Sequence, residues 1–401
     1  MTARIALDST RLLAEARELL SDTVQLRRRI HAEPEIGLDL PKTQAKVLDA
    51  LSGLDLKVET GEQLSSVVAT LSGDGDGPTI LLRGDMDALP MTEETGETFA
   101  STTPGAMHAC GHDSHVAMLV GAARLLHEHR PDLRGNVKFM FQPGEEGHHG
   151  AKYCIEEGLL ENPSVDAAFA LHISPNHKSG TLATKPGPLL ASADELHITV
   201  SGQGGHASAP HNATDPIPVA CEIVTALQAH ITRTVNIFEP AVLTIAKISA
   251  GTTNNVIPER AELVGTLRTV SDKTREQVLA SVPRVVEGIA SAHGCVGEFT
   301  VERGYGPTVN DGDFARYTLD VLTDLVGAER TVEMSYPAMA AEDWSYVLNR
   351  VPGAMAMLGV CPPDVDPAHA HACHSNHMRI DEEAMVTGIA AHAAMALTYL
   401  A

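Results

Sequence analysis

The chain has 401 residues, 43% of them hydrophobic and 20% charged, with a formal net charge of −23. That composition is ordinary for a globular protein, and the length gives roughly two or three domains. The acidity argues against nucleic acid or an anionic membrane as a partner, because both need clustered cations.

No segment approaches the ~18 consecutive apolar residues that a membrane-spanning helix requires. Met1 to Leu20 carries Asp8, Glu15 and Glu18 among its apolar residues. It therefore reads as an amphipathic helix and not as a signal peptide, which predicts a cytoplasmic protein. Six cysteines (Cys110, Cys154, Cys221, Cys295, Cys361 and Cys373) are scattered with no CxxC pair, so no disulfide framework is expected. The chain holds 20 His against 7 Phe, 6 Tyr and 1 Trp, a mild pointer to metal chemistry.

In chain order, residues 8–31 are predicted as one helix and Pro41 as the start of the next, since proline fits a first helical turn. Apolar runs at 66–71 and 79–83 read as strands, the second leading into Gly84-Asp85-Met86-Asp87. Residues 116–129 have helical spacing, 136–141 read as a strand ending in Gln142-Pro143-Gly144-Glu145-Glu146-Gly147, 151–160 as a helix and 167–171 as a strand ending at His172. This alternation predicts an α/β fold with a mainly parallel sheet and helices on both faces. Ligands of such sheets sit outside the carboxyl ends of the strands, where Asp85, Asp87, Glu145, Glu146 and His172 all fall.

Past Pro186 the pattern changes to β-α-β-β-α-β, the ferredoxin-like order, over residues 190–305. The expected organisation is a discontinuous first domain (1–189 and 306–401) carrying the chemistry and an inserted ferredoxin-like α+β domain (190–305). A helix-rich pattern returns from Asp311 and ends with a helix over 381–400.

The chemistry is densest in His108-Ala109-Cys110-Gly111-His112-Asp113-Ser114-His115. Sulfur beside imidazole suits a transition metal and not calcium or magnesium. Gly111 lets the backbone bend so that Cys110 and His112 face one point, and the Asp87 carboxylate is placed to accept the second ring N–H of His112 and fix its tautomer. Adjacent Glu145 and Glu146 divide naturally into a proton acceptor and a metal ligand, although a solvated surface pair has the same spacing. His172 stands after an apolar strand, and one ligand is expected from His369, His371, His374 and His377, a choice the sequence leaves open. His206 lies in a Gly-rich turn of the inserted domain, while His148 and His149 read as loop residues.

Six ordered motifs carry a resemblance over nearly the whole chain. Arg83–Pro90, His108–His115, Gln142–Gly147, Gly202–Pro210, Asn255–Pro258 and His374-Ser375 before Arg379–Glu382 resemble the M20 metallopeptidase family, and most of all its amidohydrolase branch. That branch includes hippurate hydrolases, N-acyl-L-amino-acid amidohydrolases and indoleacetyl-amino-acid hydrolases. The resemblance implies two divalent transition-metal ions (zinc, manganese, cobalt or nickel) held by Cys110, His112, Glu146, His172 and His374, with Cys110 shared. It implies Glu145 as general base, His206 as a residue that reaches a partner subunit's site and polarises the scissile carbonyl, and Asn255 and Arg268 as holders of the substrate carboxylate. The inserted domain matches the family's lid and dimerisation domain, so a homodimer is expected. Where the branch has Pro and aromatics after its last His, this chain has Asn376-His377-Met378, which leaves His377 a rival to His374.

The expected activity is metal-dependent hydrolysis of N-acyl amino acids by a metal-activated water. A dipeptidase or carboxypeptidase using the same centre is the alternative, a non-catalytic binder of acylated amino acids a distant third and a thiol-redox protein more remote still.

Overall fold

The computed structural model describes residues 7–401, so residues 1–6 of the predicted N-terminal helix lie outside the described residues. The strands used below are β1 (Lys57–Thr60), β2 (Val67–Ser72), β3 (Gly75–Asp85), β4 (Arg134–Gln142), β5 (Ala167–Lys178), β6 (Leu182–Thr184), β7 (Asp194–Ser201), β8 (Gly205–His206), β9 (Ala241–Ala250), β10 (Val256–Ile257), β11 (Arg260–Thr269), β12 (Val296–Arg303), β13 (Thr331–Glu333) and β14 (Gly353–Cys361). The main helices are α1 (Ser9–Glu18), α2 (Leu20–His31), α3 (Pro41–Leu51), α4 (His112–Glu128), α5 (Gly150–Glu156), α6 (Pro216–Thr234), α7 (Asp272–Ala292), α8 (Gly312–Val326) and α9 (Met385–Tyr399).

The chain divides into two compact units. One comprises Met1–Gly187, Val309–Tyr336 and Tyr346–Ala401; the other comprises Pro188–Thr308 and Pro337–Ser345. The short stretch Pro337–Ser345 thus goes with the second unit, although it follows the insertion in sequence.

The first unit is built on an eight-stranded sheet in the order β1-β2-β4-β3-β5-β14-β6-β13. Its centre, β4-β3-β5-β14, is parallel, as the strand–helix alternation predicts. Antiparallel pairs flank it at β1–β2, β2–β4 and β14–β6. The central strands are apolar and buried on both faces, as parallel strands covered by helices must be. Helix α4 is buried along most of its length, which suits its run of Val, Ala, Met and Leu. The predicted helix 8–31 is two helices, with the break at Leu19. Strand β5 continues to Lys178, so His172 lies within the strand and not after it. Pairing of β3 with β5 stops at Arg83–Ala170, so β5 projects two residues beyond it by the time it reaches His172.

The second unit holds β7, α6, β9, β11, α7 and β12, the β-α-β-β-α-β order read from the sequence. Its antiparallel sheet runs β9-β11-β7-β12. Alternate residues of β7 (Leu196, Ile198, Val200) face a core closed by Val219, Ile223 and Leu227 of α6 and by Val278, Val282 and Val286 of α7. No helix among the described residues is long and apolar enough to cross a membrane.

Candidate metal centre

The site grows from three backbone features of the first unit. Gly111 has φ +82°, and a Cβ there would lie 2.5 Å from Ile173 Cγ1, so only glycine fits. This bend starts α4 at His112 and leaves Cys110 on the other side of the turn. The strand β3 ends at Asp85 and delivers Asp87 two residues later. The strand β4 ends at Gln142 and delivers the Glu145-Glu146 turn.

These segments meet. Ligand atoms of Cys110, His112 and His172 lie within 4.8 Å of one another, as do those of Cys110, Glu146 and His374 and those of His112, Glu145 and Glu146. Cys110 Sγ is 3.4 Å from His172 Nε2, and His374 Nε2 is 3.2 Å from Glu146 Oε1. All five residues named as ligands, and Glu145 with them, therefore belong to one cluster.

Hydrogen bonds fix which ring nitrogen each imidazole presents. His112 Nδ1–H donates to the backbone carbonyl of Asp87 (2.8 Å), and His172 Nδ1–H donates to the carbonyl of Ile173 (2.7 Å). Both rings thus turn Nε2 toward the cluster, that of His172 to within 3.4 Å of Cys110 Sγ. His112 Nε2 and Glu146 Oε1 are buried without a well-directed hydrogen-bond partner, which in a folded protein calls for a cation or another ligand. Burial pushes the His112 imidazolium down, but Asp85, Asp87 and Glu146 outweigh it and raise its pKa to about 10. The pocket holds a positive charge strongly, which is what a cation site must do. Soft sulfur, imidazole and carboxylate together fit a divalent transition metal.

The other two imidazoles of the anchor stretch differ in their surroundings. His115 Nε2 accepts the N–H of Ile173 (2.9 Å), and its Nδ1–H donates to Asp85 Oδ1 (2.6 Å), so both nitrogens are occupied. His108 is fully buried with neither nitrogen partnered, and burial holds its pKa down at about 3. In the C-terminal loop, His377 turns away from the cluster: its Nδ1 bonds to the Glu94 carbonyl at 2.9 Å and its Nε2 lies 3.3 Å from the Glu94 carboxylate. His149 Nδ1 bonds to the Tyr346 hydroxyl at 2.8 Å. The ring of His148 lies against Gly37.

Asp87 is in place, but it acts differently from expectation. Its carbonyl, and not its carboxylate, takes the His112 N–H; the nearest carboxylate oxygen is 3.6 Å away. The carboxylate instead accepts the backbone N–H of Glu145 through Oδ1 and that of Glu146 through Oδ2, both at 2.9 Å. It shapes the turn that aims the two glutamates.

Two residues of this centre had no role in the sequence reading, which placed Asp85 at the sheet edge and counted Cys373 only among the scattered cysteines. Asp85 lies 3.3 Å from His112 Nε2 and is braced by Arg83 at 2.9 Å, both fully buried. Cys373 directly precedes His374, whose N–H is tied to the Ala109 carbonyl at 2.8 Å. Interaction with Cys373, and then burial, holds the Cys110 thiol well up, while interaction with Cys110 lowers Cys373 to about 6. The signals available were the D-x-D spacing after β3 and a cysteine directly before His374.

His206, Asn255 and Arg268 lie in the second unit. His206 is exposed, paired with Val256, and its Nδ1 accepts the Ser208 N–H at 3.1 Å, leaving Nε2 outward. The Asn255 carbonyl accepts the Ala207 N–H at 3.0 Å, so these two sit side by side. Arg268 is half-buried on β11, opposite Val242 of β9, and burial lowers its pKa.

The family model described as peptidase family M20/M25/M40 matches residues 81–398. The chain belongs to that family. Among M20 relatives, thermostable carboxypeptidase 1 of Saccharolobus solfataricus is 36% identical over 97% of this chain and 98% of its own length. N-acetylcysteine deacetylase of Bacillus subtilis is 36% identical over 94% of this chain and 96% of its own. The crystal structure of the Bacillus subtilis YXEP protein, described as a dinuclear metal binding peptidase from the M20 family, superposes with a TM-score of 0.82 at 32% identity, covering 96% of this chain and 99% of that one.

Proposed function

We propose that this M20 chain hydrolyses the amide bond of N-acyl amino acids at a centre of two divalent transition-metal ions. The single observation behind the reading is the convergence of Cys110, His112, Glu146, His172 and His374 on one cluster, with Glu145 at its side. The relative named N-acetylcysteine deacetylase supports the acyl-amino-acid class, and the dinuclear YXEP protein supports two metals. Zinc, manganese, cobalt and nickel are all compatible with sulfur, nitrogen and oxygen donors.

When bound, the metals supply Lewis-acid polarisation and bring the pKa of coordinated water toward neutrality. Glu145, held by Asp87 through its backbone, takes the proton of the attacking water and returns it to the departing amine. In the same reading, His206 of the partner subunit donates to the developing oxyanion, a contact typically worth ~3 kcal/mol. Asn255 and Arg268 hold the substrate carboxylate, the guanidinium as a bidentate clamp. The reading includes a cytoplasmic homodimer formed through the second unit.

A second reading, carboxypeptidase or dipeptidase activity at the same centre, is favoured by the 36% identity to thermostable carboxypeptidase 1. Chelated protein reconstituted with each metal and given N-acetyl- and N-benzoyl-amino acids beside free-amine dipeptides separates the two. Faster release of amino acid from the acylated set carries the first reading; faster cleavage of the dipeptides replaces it with the second.

A further inference from the structure

We propose that Glu195, His197 and Glu302 of the second unit form a further metal site, which takes a divalent transition-metal ion such as zinc. The site lies wholly within that unit. It shares no residue with the centre around Cys110 and stands or falls apart from it.

The register of the sheet builds the site. Strand β7 is paired on both sides, with β11 and with β12. Leu196, Ile198 and Val200 point into the core, so Glu195 and His197 stand on the face away from α6 and α7. Glu302 of β12 is the direct cross-strand partner of Glu195. Like charges directly opposite one another destabilise a sheet. Among the described residues no Arg or Lys pairs with either carboxylate, and both face His197. His197 Nε2 lies 3.2 Å from Glu195 Oε1 and 3.7 Å from Glu302 Oε1. The ligand atoms of all three residues lie within 4.8 Å of one another. Zinc bonds of about 2.0–2.1 Å place tetrahedral donors about 3.3 Å apart, so the side chains need little adjustment to hold the ion. Nε2 itself is shut off from solvent and has no well-directed hydrogen bond. A buried ring nitrogen in that state calls for a ligand.

The donors stand on paired strands whose other face is core, so their backbone is set before the ion arrives. The side chains of Glu195 and Glu302 are 54% and 78% exposed, which lets water complete the coordination shell. One imidazole and two carboxylates suit zinc, cobalt, nickel or copper. With three protein donors and no thiol, the site binds more weakly than the centre around Cys110 and fills after it. The bound ion cross-links β7 to β12 and stabilises the second unit in proportion to the free metal present.

Equilibrium dialysis of metal-loaded protein against added zinc tests this. Wild type is expected to take up one further ion per chain. His197→Ala and the Glu195→Gln/Glu302→Gln double variant are expected to bind that ion at least about 10-fold more weakly, with turnover and initial metal content unchanged. Absence of a further ion in wild type overturns the proposal; a histidine that serves only as the cationic partner of two glutamates gives this result. Equal uptake by wild type and both variants also overturns it, because the ion then lies elsewhere. The metal content before zinc is added reports on the centre around Cys110 and is read separately. Should a variant fold poorly by circular dichroism, zinc-soaked crystals of wild type decide. An anomalous peak within about 2.5 Å of His197 Nε2 supports the proposal, and its absence overturns it.

Discussion

The carboxylate of Asp87 holds the backbone N–H of Glu145 at 2.9 Å and that of its neighbour at the same distance. The clamp acts on the backbone of the turn that carries the two side chains. Asp87→Ala leaves two amides without their acceptor, a loss of ~1–3 kcal/mol for a buried group. The expected outcome is turnover lowered about 10–100-fold and weaker metal binding. Steady-state kinetics and a metal titration on the same preparation check it.

Glu145→Gln keeps the turn and removes the base. Turnover should fall by about 10²–10⁴-fold, the usual contribution of a positioned base. Metal content by elemental analysis should stay at the wild-type level, because Cys110, His112, Glu146, His172 and His374, the five residues read as ligands, are all retained. Near-wild-type turnover in the variant reassigns the base.

Gly111→Ala forces a methyl group to 2.5 Å from Ile173 Cγ1 at a residue with φ +82°. The expected cost is about 2 kcal/mol or more in unfolding free energy. Metal content should fall with it, since the bend separates Cys110 from His112. Chemical denaturation of wild type and variant in metal-free buffer measures the first effect, and elemental analysis the second.

The C-terminal loop offers a paired comparison. His374 lies 3.2 Å from Glu146, whereas His377 is spent on Glu94. His374→Ala should lower metal occupancy and abolish most turnover; His377→Ala should change each by less than about 3-fold, as a solvent-facing ion pair is worth under ~1 kcal/mol.

Behind α4, His31 is buried between Asp113 (2.9 Å) and Glu93 (3.2 Å). Burial alone would lower its pKa, but Asp113 and Glu93 overcome that, and the opposition of Arg27, to raise it from 6.5 to about 9. The proton is bound more tightly in the folded state. The stability this gives is complete below about pH 6.5 and is lost as pH rises through about 9, an effect of about 3 kcal/mol. Glu93 runs the other way: despite burial, His31 and the Ser101 N–H lower it from 4.5 to about 2, so its contribution is lost as pH falls through that interval. Thermal unfolding of wild type should decline between pH 6.5 and 9, and His31→Gln should flatten that decline.

The sequence carried the parallel sheet because β3, β4 and β5 announce themselves as short apolar runs, and it carried the edge convergence because Asp87 and Glu145 fall just past the ends of β3 and β4. What it could not carry depends on register and on long loops. The split at Leu19 follows from packing that helical periodicity does not encode. The extension of β5 through His172 comes from pairing with β14, where Met357 lies opposite His172. That Asp87 uses its carbonyl on His112 is a matter of one bond's rotation, invisible in a D-x-D motif. The choice of His374 over His377 rests on a left-handed residue and on the bond from its N–H to Ala109, 265 positions apart by the numbers 374 and 109. Cys373 was hidden by the same distance.

Crystals of metal-loaded protein, measured on either side of the zinc absorption edge, test the central claim most directly. Two anomalous peaks are expected, both about 2.3 Å from Cys110 Sγ, with imidazole nitrogens of His112, His172 and His374 at about 2.0–2.1 Å from one or the other. Strong peaks elsewhere, with none within about 4 Å of Cys110, contradict the account, because that distance exceeds any zinc–sulfur bond.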